Sequence, residues 1–144
     1  MKIKTIICIF SAAAIIGAVY MFSSGRNTGR EEVIYPESPA VSTSGERIDY
    51  FASHGWEVEE IAGKNMTIPE VFSGEYEEYA RMQDKQGLPL RKYAGKNAVL
   101  YIYDVKNYSP ESRKMLAELI VCENTAVASM VYSEDGGTLR FSVA

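Results

Sequence analysis

The sequence predicts an α+β domain that follows an N-terminal transmembrane helix. Three patterns carry this prediction: an uncharged run over residues 5–22, two helix-start signals after residue 42, and a series of alternating apolar segments after Asn97. The chain has 144 residues, which is room for one domain and accessory segments. We expect two helices packed on an antiparallel sheet of three to five strands.

The N-terminal segment, residues 1–22, has the features of a signal anchor. Lys2 and Lys4 precede the uncharged run, and a helix over that run would be roughly 27 Å long, close to the thickness of the hydrocarbon core. The basic residues place the N-terminus in the cytoplasm and everything after Phe22 outside. A cleaved signal peptide is the alternative, but bulky residues at the end of the run leave no small-x-small cleavage site.

Residues 23–44 predict a flexible linker, because they are rich in Ser, Gly, Pro and charge and hold few large apolar residues. Residues 45–144 remain for an extracytoplasmic domain. That domain carries eleven basic and sixteen acidic residues, a net charge of −5. Because an acidic surface repels phosphate backbones, we expect no nucleic-acid partner.

The first helix of the domain is predicted by the capping box of Thr43 and Glu46, which Ile48 and Phe51 follow at helical spacing. Gly55 suits the left-handed position after the helix, with the next residue folding back on Phe51. Residues 56–61 then alternate as a strand, and residues 63–65 predict a turn.

A second capping box, Thr67 with Glu70, predicts that the second helix begins there. An apolar stripe continues at helical spacing, and Gly87 marks the end. The members of the stripe are Phe72, Tyr76, Tyr79 and Met82.

The C-terminal half predicts an antiparallel meander. Residues 97–105 alternate most clearly, whereas residues 115–122 fit a strand or a helix. Glu123 and Asn124 favour a hairpin turn into residues 125–132, and residues 134–137 favour a second turn before a strand over residues 138–143.

Candidate catalytic groups are few. Cys122 would need a base, and His54 is the single histidine, but nothing in the sequence brings the two together. Cys8 lies in the apolar run and cannot pair with Cys122. A hydrolase could use two carboxylates, for which Glu57 with Glu59, Glu77 or Asp104 are candidates. We assign no catalytic, cofactor-binding or metal residue and no cofactor.

Several motifs resemble one family. They are Arg47-Ile48-x-Tyr50-Phe51-x-x-x-Gly55-Trp56, Ile68-Pro69-Glu70-Val71-Phe72, Tyr76-Glu77-Glu78-Tyr79, Gln83-x-x-Gln86-Gly87, Tyr93-x-Gly95-Lys96 and Tyr103-x-x-x-Asn107-Tyr108. This pattern resembles the DUF4830 family of clostridial and related Gram-positive bacteria. The chain departs from it after Tyr108, where residues 128–130 are Ala-Ser-Met and the family tends to carry Gly-Gly-Asp. The resemblance implies a secreted or anchored α+β domain, with a strand at residues 115–122, and no activity.

We therefore expect a non-catalytic binding or interaction module at the cell membrane, with an envelope protein or the cell wall as its partner. One alternative is the carboxylate-dependent hydrolase. The other is an accessory subunit of a membrane complex, since residues 12–14 and 17–18 are small enough for close helix packing.

Overall fold

The computed structural model describes residues 40–144. The predicted signal anchor, residues 1–22, and most of the predicted linker, residues 23–44, lie outside the described residues. Within residues 40–144, no helix has the length and apolar character needed to cross a membrane.

The domain is an α+β fold built on one five-stranded antiparallel sheet, whose strands follow each other in chain order. This confirms the predicted class, two helices on an antiparallel meander. The helices are α1 (Ser44–Ala52) and α2 (Glu75–Lys85), and the strands are β1 (Val58–Thr67), β2 (Asn97–Val105), β3 (Met115–Cys122), β4 (Thr125–Ser133) and β5 (Arg140–Phe141). Short 3-10 turns lie at Leu90–Tyr93 and Pro110–Ser112.

The two helices cover opposite faces of the sheet. Phe51 of α1 packs in one apolar cluster with Leu119 of β3, whereas Tyr79 of α2 packs in the other with Ile120 of the same strand. All eight residues of β3 are buried. A strand buried on both faces has no polar alternation, which explains why residues 115–122 were ambiguous by period.

Helix α1 follows its local signals. The Thr43 hydroxyl accepts from the Glu46 N–H at 3.1 Å, and the Glu46 carboxylate accepts from the Thr43 N–H at 3.1 Å, so the predicted capping box is present. Gly55 has φ +89°, and the Trp56 N–H donates to the Phe51 carbonyl at 3.0 Å. The predicted glycine stop is confirmed.

The turn predicted at residues 63–65 is wrong. Gly63 pairs with Tyr101 and Asn65 with Val99, so this segment is the middle of β1. Pairing with a strand about 35 positions further along the chain overrides the local turn signal, because each ladder hydrogen bond satisfies a backbone group that a turn would leave to water.

The start predicted for the second helix is also wrong, since α2 begins at Glu75 and not near Thr67. Thr67 ends β1 opposite Asn97, and its hydroxyl donates to the Asn97 side chain at 3.1 Å instead of capping a helix. The Ile68 N–H donates to the Lys96 carbonyl at 2.8 Å, which extends the β1–β2 contact beyond the strand. The capping-box sequence was therefore a coincidence of composition.

The hairpin between β3 and β4 is confirmed. Glu123 and Asn124 have φ of +52° and +61°, the positive values that a two-residue type I′ turn requires. The later turn at residues 134–137 is also present, but the strand predicted over residues 138–143 is reduced to Arg140–Phe141.

The outer edge of β4 is closed by side chains where β5 is too short to pair. The Ser129 N–H donates to Gln83 Oε1 at 2.8 Å, and its carbonyl accepts from Gln86 Nε2 at 3.0 Å. Gln86 Oε1 also accepts from the N–H groups of Val143 and Ala144 at 2.8 and 3.0 Å. Gln83 of α2, Gln86 directly after this helix and the C-terminal residues thus take the place of a neighbouring strand.

Candidate binding site

The structure does not form the Cys122–His54 pair. Cys122 is buried in the α2-side cluster, and its thiol donates to the Asn97 carbonyl at 3.3 Å. Burial raises the pKa of this thiol, which disfavours the thiolate. His54 is exposed at the end of α1, on the other face of the sheet, with its ring 5.3 Å from that of Tyr50.

Three of the four candidate carboxylates are paired with cations. Glu59 and Asp104 are cross-strand neighbours, and the Lys106 ammonium lies between them, 3.1 and 2.7 Å from their oxygens. Glu77 is elsewhere, on α2, where the Arg91 guanidinium binds it at 2.8 Å. Arg91 hydrogen bonds lower the pKa of Glu77, so it is a poor proton donor at neutral pH.

The remaining candidate, Glu57, is exposed and lies before β1. None of the four carboxylates faces another across a cleft among residues 40–144, so the arrangement offers no acid–base pair of the kind that a glycosidase uses. The described residues also contain no group of three or more His, Cys, Asp or Glu side chains placed to hold a metal ion.

One carboxylate that the sequence analysis did not single out is buried under α2. Glu118, in the middle of β3, is fully buried, and the Tyr79 hydroxyl donates to its Oε2 at 3.3 Å. Its Oε1 and the Tyr132 hydroxyl have no hydrogen-bond partner within the described residues. Burial raises the pKa of Glu118 to about 8, against the opposing effect of the Tyr79 hydrogen bond. The group is therefore largely protonated at neutral pH, and it lines none of the described surface depressions.

A first surface depression, the hairpin groove, lies beside the β3–β4 turn and has a volume of about 300 Å³. It is lined by Val41, Ser42, Arg47, Asn65, Asn97, Ala98, Val99, Tyr101, Val121, Glu123 and Asn124. Its most distinctive groups are already engaged. The Arg47 guanidinium lies 3.8 Å from the centre of the Tyr101 ring and donates to both carboxylate oxygens of Glu60 at 2.8 and 3.3 Å.

The contacts between Arg47 and Glu60 give Arg47 a structural role. Partial burial raises the pKa of Glu60, but hydrogen bonds from Arg47 and the Tyr103 hydroxyl outweigh it and hold the pKa below its ordinary value. The ring of Tyr101 lies so close to Gly63 that a Cβ there would be 3.2 Å from it. Neither the guanidinium nor the ring is left for a ligand, so the hairpin groove is the weaker candidate.

A second depression, the Trp56 pocket, has a volume of about 420 Å³ and lies between α1 and the start of β1. It is lined by Ile48, Ala52, Gly55, Trp56, Glu57, Val58 and Asn107. The apolar members come from one face of α1 and from the residues after it, because Gly55 turns the chain back and brings the indole under the helix. Glu57 and Asn107 supply polar groups.

Asn107 holds the loop after β2 against the Trp56 pocket. Its Nδ2 donates to the Gly55 carbonyl at 2.8 Å, and its Oδ1 accepts from the Glu57 N–H at 3.1 Å. The Lys106 N–H donates to the Glu57 carbonyl at 2.8 Å. These bonds fix the backbone on both sides of Trp56, so the pocket is formed before any partner binds.

Three aromatic rings continue from the pocket across the surface. Trp56 and Tyr108 meet edge to face with centroids 5.8 Å apart, and Tyr108 meets Phe141 in the same way at 6.0 Å. The indole Nε1 donates to the Val143 carbonyl at 2.9 Å, which fixes the ring. Tyr108 is 39% exposed, and among residues 40–144 it and Ile61 are the two large hydrophobic residues that are most open to solvent. Rigid aromatic groups of this kind anchor protein partners.

Residues 40–144 form a small α+β domain, and Trp56 lines one of its surface depressions. The chain belongs to the DUF4830 family, described as a domain of unknown function, whose model matches residues 50–135. No curated protein matches the chain, and no solved structure does either.

The family membership confirms the resemblance that the sequence motifs suggested. Two of those motifs, distant in sequence, meet at the Trp56 pocket: one contributes Gly55 and Trp56, the other Asn107 and Tyr108. A third motif contributes Gln83 and Gln86 to the closed edge of β4. The sequence alone predicted Gly55 as the end of the first helix, but it did not predict that these motifs meet.

Proposed function

We propose that this chain is a non-catalytic binding module, held on the outer face of the cell membrane by residues 1–22, which binds a protein partner through the Trp56 pocket. The observation that carries the binding role is the preformed pocket itself, because Asn107 and Gly55 fix both backbone segments around an indole that is also hydrogen-bonded. The apolar lining of Ile48 and Ala52 suits a large apolar side chain of an envelope protein.

The non-catalytic part of the proposal is supported by the environments of the candidate catalytic carboxylates. The acids considered for hydrolysis are exposed or paired with Lys106 and Arg91, and among residues 40–144 the carboxyl with the strongly raised pKa, Glu118, is fully buried under α2. These environments favour structural roles, because a catalytic acid or base must come within hydrogen-bond reach of its substrate.

The binding role is tested by site-specific photo-crosslinking of the full chain in its own membranes. A photoreactive residue replaces Glu57 in the pocket or, as the control, Glu75, which is exposed at the start of α2 and lines no described depression. We expect a discrete adduct of defined mass from position 57 and none from position 75. Adding Ala52→Arg, which fills the pocket, removes the adduct. Identical patterns at both positions, or an adduct that survives Ala52→Arg, would contradict the proposal.

The location is tested by thiol labelling in intact cells. In a Cys8→Ala background, Ser53→Cys places an exposed thiol at the end of α1, and buried Cys122 gives little background. A membrane-impermeant maleimide labels Ser53→Cys in intact cells if the domain is outside. Lys2→Cys serves as the control and is labelled only after the cells are permeabilised. Labelling of Ser53→Cys only after permeabilisation would place the domain in the cytoplasm.

A further inference from the structure

The edge strand β1 has a long unpaired side. Nine of its ten residues pair with β2 on one side, and within residues 40–144 no element pairs with the other. The backbone groups on that side are open to a further strand. The opposite edge of the sheet differs, because Gln83 and Gln86 already occupy it.

A bulge in β1 changes which side chains share a face. Glu60 pairs with Tyr103 and Ala62 with Ile102, so Ile61 is an extra residue in the ladder. Glu59 and Lys64 are an odd number of positions apart and would lie on opposite faces of a regular strand. After the bulge they lie on the same face, opposite Asp104 and Leu100 of β2.

This arrangement is self-complementary in charge. When β1 meets a second β1 antiparallel about a two-fold axis between Ile61 and Ala62, Glu59 of each copy lies opposite Lys64 of the other. The same register places Glu60 opposite Gly63, both on the α1 face. Directly opposed residues of an antiparallel pair share a face, and opposite charges there are favourable.

Both charged groups are accessible for this contact. Lys64 is exposed and has no ion pair among the described residues, and the Glu59 side chain is 67% exposed beside Lys106. We propose that β1 is an interface for a second copy of this chain, which joins the two five-stranded sheets into one continuous sheet. The inference goes beyond the proposed partner site, and each stands without the other.

The register is tested by charge reversal in the full chain, purified in detergent, with the dimer dissociation constant measured by sedimentation. Lys64→Glu places an acid opposite Glu59 at both symmetry-related positions of the dimer, so we expect the dissociation constant to rise at least roughly tenfold. Glu59→Lys places two lysines opposite each other and should have the same effect. The combination Glu59→Lys with Lys64→Glu restores the pairing and most of the affinity. Lys92→Glu, an exposed lysine away from β1, is the control and leaves the dimer unchanged.

A disulfide test fixes the geometry. In the Cys8→Ala background, a mixture of Glu59→Cys and Lys64→Cys chains forms a mixed disulfide on mild oxidation, whereas each variant alone does not, because identical positions lie far apart in this register. A chain that is monomeric at every concentration, a dimer indifferent to charge reversal, or an absent mixed disulfide would overturn the inference. Binding of an added extended peptide at β1 without self-association would do so as well.

Discussion

The two edges of the sheet differ in what faces their unpaired backbone N–H and C=O groups. At the β4 edge, buried Gln83 and partly buried Gln86 satisfy the backbone of Ser129 with neutral side chains, and Gln86 also holds the C-terminal residues. At the β1 edge, the backbone groups remain open and the side chains around them, Glu59 and Lys64, are charged and exposed. The difference teaches that one edge is part of the domain's own stability, whereas the other contributes little to it and is available for association.

The largest effect should come from Glu118, which lies on β3 beneath α2, the helix that supplies Gln83 to the closed edge. Its folded-state pKa of about 8 is above the ordinary value of 4.5, so the folded protein binds this proton more tightly than the unfolded chain. The stability from this proton is therefore fully present below about pH 4.5 and is lost as the pH rises through 8. The difference between the two pKa values corresponds to an upper limit of about 5 kcal/mol for this contribution to the unfolding free energy.

Glu118→Gln keeps the shape and removes the titration. We expect the unfolding free energy of this variant to be nearly independent of pH between 5 and 9, whereas that of the parent falls by several kcal/mol. Urea unfolding of residues 40–144, followed by the fluorescence of Trp56, the single tryptophan, measures both. Glu78→Gln, on the exposed side of α2, is the control. If the unfolding free energies of the parent and of Glu118→Gln depend equally on pH, Glu118 ionises in the folded protein without loss of stability.

The closed edge should be broken directly by Gln86→Ala. The substitution leaves the Ser129 carbonyl and the Val143 N–H without their partner, so we expect a loss of roughly 2–3 kcal/mol in the unfolding free energy. Lys85→Ala, the exposed neighbour on the same helix, should change it by less than about 0.5 kcal/mol. The same urea titration compares the two, and equal small losses would mean that water replaces the glutamine.

A smaller effect is expected where α1 holds the open edge. Arg47→Met removes the guanidinium that binds Glu60 of β1, in a pair whose side chains are 9% and 25% exposed. We expect a loss of about 2 kcal/mol, less than for a fully buried pair. The matched control is Arg81→Met, whose side chain is 68% exposed in its pair with Glu77 and should contribute about 0.5 kcal/mol or less. Similar losses from both would argue against a structural role for Arg47.

The smallest effect should come from the open edge itself. Lys64→Ala removes a side chain that makes no ion pair among the described residues, so the unfolding free energy of dilute, monomeric protein should change by less than about 0.5 kcal/mol. Urea unfolding at low protein concentration checks this. A loss above 1 kcal/mol would show that Lys64 supports the monomer and would remove the contrast between the two edges.

The sequence predicted elements whose signals are local. The capping box of Thr43 and Glu46 and the turn at Glu123 and Asn124 each depend on residues within four positions, and both are present. The elements it predicted wrongly depend on distant pairing. Gly63 is a strand residue only because Tyr101 lies opposite it, and Thr67 caps no helix because Asn97 continues the ladder.

The candidate site was predictable only in part. The motif residues Trp56 and Asn107 were visible in the sequence, but they meet through two hydrogen bonds between the Asn107 side chain and the backbone of Gly55 and Glu57, which no local pattern encodes. Glu118 gave one signal, a single acid inside the apolar run of β3. An isolated acid of this kind is as easily assigned to an exposed strand face, and only the position of α2 makes it buried.

The attachment of residues 40 and 41 has a mechanical consequence. Ala40 bridges Thr125, and the Val41 N–H donates to the Asn124 carbonyl at 3.0 Å, beside the hairpin groove that Val41 also lines. Tension that enters the domain at Ala40 loads these contacts and the start of α1 before it reaches the long β1–β2 ladder. Under a pull from the N-terminal side the domain would therefore yield first at Val41, widening the hairpin groove while the five-stranded sheet stays intact.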